Sequence, residues 1–194
     1  MPGTSVLSDI RIADMTTVIF GPYCTQTLAD MGADVVKVEP PSGDDFRNVG
    51  KSAKNKHMGP CHMTINRGKR SVVWDMKSDE GQDIVKRLVA EADIVVENFS
   101  PGRLEKWGLG WDDLSAINPA LIMVRISGYG QTGPYRDRPG FGVIGEAMGG
   151  IRYLTGQPGE STVRVGVSLG DSLAALYGVI GALLALQERR TSGL

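Results

Sequence analysis

The chain has 194 residues, of which 41% are hydrophobic and 22% charged, and its formal net charge is −1. This length fits one domain, and the composition excludes a disordered segment, a collagen-like repeat and a strongly basic nucleic-acid-binding protein. Glycine is abundant, at 26 residues, which favours an α/β protein that brings its backbone close to a ligand.

Cysteine content and hydropathy indicate the compartment. The two cysteines cannot form a disulfide framework, and Asp9 and Asp14 interrupt the apolar stretch that a signal peptide needs. A reducing, cytoplasmic location is therefore predicted. The longest uncharged apolar run, residues 173–186, is shorter than a membrane span and predicts a buried helix.

The N-terminal part of the chain predicts a βαβ unit. Its features are, in order, an alternating strand over 10–15, a turn at Gly21 and Pro22, a helix over 23–31 and a β-branched strand over 34–39. Gly32 terminates the helix, and Pro40 stops the second strand. Residues 41–69 are polar and aperiodic, and they predict a long excursion over the surface.

Strands and helices continue to alternate in the rest of the chain. The predicted elements are a strand over 71–76, a helix over 79–92, a strand over 93–99, short helices over 101–107 and 111–117, a strand over 121–127, a short helix over 141–148 and a long helix from 168 to about 190. This order predicts an α/β fold with a mostly parallel sheet that is covered by helices on both faces.

Residues 128–133 match the pattern G-x-G-x-x-G after a predicted strand. The dinucleotide fingerprint also needs a following helix to receive the pyrophosphate, and residues 134–140 contain prolines, charges and glycine instead. We therefore predict a glycine-rich loop and no nicotinamide cofactor. Arg136 and Arg138 in this loop are either solvated or face an anionic ligand.

The histidines and cysteines do not form a convincing reactive site. His57, Cys61 and His62 are close in sequence, but no second pair completes four metal ligands, so we predict a surface loop and no metal. Cys24 stands at the start of a helix, where a thiolate can be stabilised. Both histidines are far from it in sequence, and a small buried thiol is favoured over a nucleophile.

The carboxyl ends of the predicted strands collect polar, cationic and aromatic residues. Ligands bind at this edge in an open parallel sheet. The residue types suit a nucleotide, since aromatic rings stack, amides and hydroxyls bind polar edges, and cations bind phosphates. These residues are Thr16, Thr17, Val18, Glu39, Lys77, Asn98, Phe99, Arg103 and Lys106.

Asp171 is the most suggestive carboxylate. It follows the strand-like run 165–167 and falls in the first turn of a strongly apolar helix, where the helix dipole favours the ionised form. A helix cap explains this position without any chemistry, and from the position alone the cap is the favoured role.

Several ordered segments resemble the family III CoA-transferases, the group that includes L-carnitine CoA-transferase and bile-acid-inducible operon protein F. The segments are residues 21–26, 28–39, 66–71, 97–102, 118–119, 127–134 and 170–171. The resemblance covers almost the whole chain. It implies that Asp171 is the catalytic aspartate, and it implies coenzyme A contacts from Thr17, Val18, Ile19, Trp74, Lys77, Asn98, Phe99 and Lys106.

The resemblance also implies the activity. The expected enzyme is an acyl-CoA:carboxylate CoA-transferase that passes through an aspartyl-CoA thioester and mixed anhydrides. Coenzyme A is then a co-substrate, and the partners are an acyl-CoA donor and a small carboxylic acid acceptor. Residues 140–150 are similar to members that use succinyl-CoA and small dicarboxylates.

The implied architecture is a Rossmann-like α/β domain. Residues 1–194 are expected to form the N-terminal, CoA-binding part of the large domain, ending after the active-site helix, with the small domain and the C-terminal segment outside this chain. An interlocked homodimer without nucleic-acid or membrane partners is expected. Two alternatives stay open: an α-methylacyl-CoA racemase, whose His-Asp pair is replaced here by Phe141 and Gly142, and an inactive CoA-binding or dimerisation fragment.

Overall fold

The computed structural model describes residues 5–50 and 55–193. The strands β1 (Arg11–Met15), β2 (Asp34–Glu39), β3 (Arg70–Val73), β4 (Ile94–Glu97) and β5 (Ile122–Arg125) form one sheet. Their order is β3-β2-β1-β4-β5, and every neighbouring pair is parallel. The predicted α/β fold with a parallel sheet is confirmed.

Helices cover both faces of the sheet. The α-helices of the described residues are α1 (Phe20–Asp30), α2 (Pro60–Ile65), α3 (Asp79–Ala90), α4 (Trp111–Ile117), α5 (Gly142–Met148) and α6 (Leu169–Ser192). Helices α1 and α6 pack on one face, and α3 and α4 on the other. Successive side chains of strand β1 point to opposite faces of the sheet. Ile12 therefore packs in the hydrophobic core beneath α1 and α6, and Ala13 packs in the core beneath α3 and α4.

Helix α1 begins three residues before its predicted start, and includes the two residues that predicted a turn. Pro22 is tolerated because the first N–H groups of a helix have no intrahelical acceptor. Gly21 permits close packing, since a Cβ atom there would lie 2.5 Å from Cβ of Thr16. Gly32 has a φ of +102° and follows the helix, as predicted.

The prediction that residues 41–69 run over the surface is wrong in part. Within the described part of this segment, a 3₁₀ turn (Asp45–Asn48) precedes α2. Asp44, His62 and Asn66 are buried. The segment returns to the interior because charged residues of the neighbouring strands are themselves buried and require polar partners.

Two lysine-carboxylate pairs lie buried beneath the end of β1. Lys69 Nζ is 2.9 Å from Asp14 Oδ2, and Lys37 Nζ is 3.0 Å from Asp44 Oδ2. Lys37 also donates to the backbone carbonyl of Thr16 at 2.6 Å. These contacts fix the backbone where β1 enters the loop before α1.

Because folding lowers the pKa of Asp14, the fold is expected to lose stability as the pH falls. Burial alone raises the pKa of Asp14, but Lys69, Lys37 and two threonine hydroxyls outweigh it and lower this pKa to about 2. The unfolded value is near 4, so the ionised group stabilises the fold above pH ~4, and its contribution of about 2 kcal/mol is lost as the pH falls toward 2. NMR titration of the Asp14 carboxyl carbon measures this, and a pKa of 4 or higher would contradict it.

Helix α6 is buried along one side only, so the prediction of a buried helix is wrong for its outer surface. Leu173, Leu176, Tyr177, Ile180 and Leu184 are exposed there. The helix is apolar all around, and periodicity therefore could not distinguish its two sides. Among the described residues, α6 is the one helix that is long and apolar enough to cross a membrane, judged by length and composition alone. Core helices of soluble proteins have the same property.

Candidate active site

The strand order places a crevice between the carboxyl ends of β1 and β4. The chain proceeds from β1 to β2 on one side and later from β4 to β5 on the other, so the connections diverge at this point. Asn98 ties the two ends together: Thr17 N–H donates to Asn98 Oδ1 at 2.9 Å, and Asn98 Nδ2 donates to the Thr17 carbonyl at 2.7 Å.

Val18 adopts a strained backbone conformation at this crevice. Its φ of +71° lies in the left-handed region, which is rare for a β-branched residue. The Val18 N–H donates to Asp44 Oδ1 at 3.4 Å, so the buried Lys37–Asp44 pair supports the loop from beneath. Such strain persists only where the surroundings hold it, and it is concentrated at functional sites.

A cavity of about 520 Å³ extends from this crevice to the first turn of α6. It contains five of the residues that the sequence proposed for the site: Thr17, Val18, Ile19, Asn98 and Asp171. The other lining residues are Phe20, Ser100, Pro139, Gly140, Phe141, Gly142, Val143, Arg164 and Ser168. The fold thus brings together side chains that are far apart in sequence.

Asp171 does not cap its helix. It is 9% exposed and lies in the first turn of α6, and within the described ranges no helix N–H donates to its carboxylate. The N-terminal residue Ser168 likewise makes no capping bond. The role favoured from position alone therefore finds no support in the contacts, and the carboxylate borders the cavity instead.

The surroundings of Asp171 make its ionised form less stable than in water. Burial and the nearby carboxylate of Glu146 raise the pKa of Asp171, and the Arg164 guanidinium partly offsets this. Glu146 is itself buried, and its Oε1 accepts the Gly170 N–H at 3.3 Å. A weakly solvated carboxylate without strong hydrogen bonds is a better nucleophile than one held by several donors.

Two glycines allow the start of α5 to approach the start of α6. A Cβ atom on Gly142 would lie 2.6 Å from Asp171 Oδ2, and one on Gly170 would lie 2.7 Å from the Gly142 carbonyl oxygen. A side chain at position 142 would therefore compete with the Asp171 carboxylate for the same space. Neither Phe141 nor Gly142 has a titratable side chain, so the His-Asp pair of the racemase alternative has no counterpart at this position.

The remaining residues proposed for coenzyme A lie outside the main cavity. Phe99 packs edge-on against Trp107, with ring centroids 5.4 Å apart, and lines a small neighbouring pocket. Lys106 is exposed in a 3₁₀ turn (Glu105–Trp107). Trp74 and Lys77 follow β3, which is separated from β1 by β2.

The glycine-rich segment 128–133 is an irregular loop, as predicted, and no helix follows it before α5. Arg138 stacks over the Tyr135 ring at 4.2 Å, and Arg136 is paired with Asp137 at 3.5 Å. Both arginines line the small pocket that contains Phe99. This position is compatible with an anionic ligand near the main cavity.

Cys24 is a buried thiol, as predicted. Burial and the nearby Asp14 raise its pKa to about 12, which makes it a poor nucleophile. Among residues 5–50 and 55–193, no group of three or more histidine, cysteine, aspartate or glutamate side chains is arranged to hold a metal ion.

Sequence reasoning missed Glu146, Arg164 and the contact between Gly142 and Gly170. Glu146 is the single carboxylate in the apolar, glycine-rich run 140–150, and its isolated position there was the signal that the sequence offered. Arg164 gave no signal, because it lies in an irregular segment without periodicity.

Comparison with known proteins identifies the family. The model of the family described as CoA-transferase family III matches residues 7–194. The chain belongs to this family.

Relatives within CoA-transferase family III have curated activities. The chain is 53% identical over 188 residues to succinyl-CoA–D-citramalate CoA-transferase of Chloroflexus aurantiacus, covering 96% of this chain and 46% of that protein. It is 42% identical to succinate–glutarate CoA-transferase of Agrobacterium fabrum, covering 96% of this chain and 48% of the relative. The chain spans about half the length of the curated relatives it matches.

Solved structures with similar sequences have the same fold. A crystal structure of a CAIB/BAIF family protein from Brucella suis superposes with a TM-score of 0.94 at 42% identity, covering 98% of this chain and 51% of that one. Rv3272 from Mycobacterium tuberculosis superposes with a TM-score of 0.90 at 33% identity, covering 98% and 53%. Family membership and fold therefore agree.

Proposed function

We propose that the full-length protein is an acyl-CoA:carboxylate CoA-transferase with Asp171 as its nucleophile. The observation that carries this proposal is the position of Asp171: a largely buried carboxylate, free of helix-capping bonds, at a cavity on the carboxyl edge of the sheet. Family membership supports the reaction class. Succinyl-CoA is the proposed donor and a small dicarboxylate the acceptor, in line with the relatives' names.

The first half of the reaction charges the enzyme. An oxygen of the Asp171 carboxylate attacks the thioester carbon of the donor, and the C–S bond breaks to release the CoA thiolate and form a mixed anhydride. The thiolate then attacks the Asp171 carbonyl carbon of the anhydride. This step expels the donor acid as a carboxylate and leaves an aspartyl-CoA thioester.

The second half reverses these steps with the acceptor. The acceptor carboxylate attacks the aspartyl thioester to give a new anhydride and CoA thiolate, which attacks the acceptor acyl carbon and regenerates Asp171. Each tetrahedral intermediate carries an oxyanion that needs N–H donors, and the backbone at Gly140 and Gly142 lines the cavity without side chains to block approach. Anhydrides hydrolyse, so the site must also exclude water.

Coenzyme A is proposed to lie across the strand ends. Its thiol end would reach Asp171 past Thr17, Val18 and Ile19, which line the same cavity. Its adenine end would lie near Asn98, Phe99 and Lys106, where an aromatic ring and a cation are available beside the crevice. Trp74 and Lys77 would contribute from the end of β3.

Lys77 allows a test of this placement. Replacing Lys77 by alanine is expected to weaken CoA binding by about 1–3 kcal/mol if its ammonium group binds a phosphate. Isothermal titration at low salt measures the change, and Lys86→Ala, a lysine within α3, provides the control. An unchanged Kd for Lys77→Ala would remove this residue from the site.

Quaternary structure, location and domain limits are also proposed. The exposed apolar side of α6 favours burial against a second subunit, which supports a homodimer. Free Cys24 and Cys61 are compatible with a cytoplasmic protein. Residues 1–194 are proposed as the N-terminal, CoA-binding part of a larger domain, which the twofold greater length of the relatives supports.

An exchange assay tests the proposed function. The full-length protein is incubated with succinyl-CoA and isotopically labelled succinate, and the acyl-CoA pool is analysed by mass spectrometry. Label is expected to enter succinyl-CoA without net hydrolysis. If neither succinate nor any other small carboxylic acid enters the acyl-CoA pool, the proposal is wrong.

A further inference from the structure

Arg164 supplies the positive charge of the cavity that contains Asp171. Among the described lining residues, no other side chain is cationic, and Asp171 is the one carboxylate. The Arg164 side chain is 51% exposed, so its guanidinium is accessible and is not locked into the core. One cation beside a nucleophile, in a lining that is otherwise uncharged, favours a substrate with an anionic end.

Glu146 is the carboxylate that lies nearest to this guanidinium as an ion-pair partner. Arg164 Nε lies 4.0 Å from Glu146 Oε2, an oxygen that has no hydrogen-bond partner in the described part of the chain. The other oxygen of Glu146 accepts the N–H of Gly170, the residue directly before Asp171. Arg164 itself donates no hydrogen bond to any residue in ranges 5–50 and 55–193, which leaves its terminal N–H groups for a ligand.

A guanidinium with free terminal nitrogens is suited to a carboxylate, which it binds through two parallel N–H···O bonds. We propose that Arg164 binds the distal carboxylate of a dicarboxylic acyl group while the reacting carbonyl lies at Asp171. This inference rests on the proposed CoA-transferase function. Because the second half of the reaction reverses the first, donor and acceptor acids occupy the same place in turn, and one arginine selects both.

A purely electrostatic role for Arg164 makes a different prediction. Offsetting the negative charges of Glu146 and Asp171 would assist transfer of every acyl group equally. Binding of a distal carboxylate assists only dicarboxylic substrates. Butyryl-CoA separates the two roles, because it has a methyl group where succinyl-CoA has its distal carboxylate.

The experiment compares two exchange reactions in the full-length protein: succinyl-CoA with labelled succinate, and butyryl-CoA with labelled butyrate. For Arg164→Met, kcat/KM with the succinyl pair is expected to fall by about 10- to 150-fold, while the butyryl pair changes by less than about threefold. Arg164→Lys keeps the charge but not the paired N–H geometry, and an intermediate loss is expected. Arg190→Met replaces an exposed arginine at the far end of α6 and serves as the control.

Equal losses for both pairs, or no loss for either, would overturn the role of Arg164 while leaving the CoA-transferase function intact. Absence of exchange by the wild-type protein with both pairs would overturn succinyl-CoA as the donor, and this inference with it; absence of exchange with every small carboxylic acid would overturn the proposed function itself. Circular dichroism establishes that each variant is folded. If Arg164→Met does not fold, Arg164→Lys replaces it in the test. Its loss of kcat/KM with the succinyl pair is then compared with its loss with the butyryl pair, and the comparison is interpreted in the same way.

Discussion

Replacing Asp171 by alanine in the full-length protein is expected to lower CoA transfer by at least about 1,000-fold, because the variant has no group that can form the covalent intermediate. The Kd for CoA should change by less than about threefold, since in the proposed mechanism the carboxylate reacts with the thioester carbon and does not bind the nucleotide. Steady-state exchange rates and isothermal titration measure the two quantities. Asp171→Asn is the matched variant, because it keeps the shape of the side chain and replaces the carboxylate by an uncharged amide, which is a poor nucleophile.

A structural role for Asp171 predicts the opposite pattern. Loss of a helix cap would cost about 0.5–2 kcal/mol of stability and leave normal turnover per folded molecule. The absence of a capping bond from Asp171 in the described residues argues against this role. An alanine variant whose remaining activity equals its folded fraction would show that Asp171 is not the nucleophile.

Substituting Gly142 by alanine is expected to reduce kcat by about 10- to 100-fold with little loss of stability. The new Cβ atom would lie 2.6 Å from Asp171 Oδ2, which can move away, and 3.1 Å from the backbone nitrogen of Asp171. The fold is therefore expected to accommodate the change by displacing the carboxylate of Asp171, the proposed nucleophile. Thermal unfolding and exchange kinetics of the same preparation separate the two effects.

Two neighbouring glycines supply the controls for this prediction. At Gly145, also in α5, an added Cβ atom meets nothing within 4 Å, so alanine should leave activity unchanged and alter stability by at most about 1 kcal/mol. At Gly170, the Cβ atom would lie 2.7 Å from a backbone oxygen, and a loss of about 1–3 kcal/mol is expected. Full activity of Gly142→Ala would mean that the carboxylate does not need its present position.

Local patterns were sufficient to predict most elements of the sheet. The strand over 34–39 was predicted with its observed bounds, because a β-branched run ends at Pro40. The start of α1 was predicted too late, since the usual turn signal of Gly21 and Pro22 is also compatible with the first turn of a helix. The exposed side of α6 could not be predicted, because it depends on which neighbours the fold supplies.

The candidate site was only partly accessible from the sequence. Strand-end positions such as Thr17 and Asn98 follow from the general rule for parallel sheets, and the structure joins them by direct hydrogen bonds. For Asp171, a catalytic role was predicted in preference to a helix-capping role only because of the family resemblance. The contacts of Glu146 and Arg164 depend on tertiary packing across an irregular loop, which no local periodicity encodes.

Covalent capture at Asp171 tests the central claim most directly. The full-length protein is incubated with succinyl-CoA, quenched with hydroxylamine, digested and analysed by mass spectrometry. An anhydride or thioester at Asp171 reacts with hydroxylamine, so the peptide that contains Asp171 should carry a hydroxamate at this residue. Omission of succinyl-CoA should abolish the product. A protein that exchanges succinate actively but yields no hydroxamate on this peptide would contradict the mechanism.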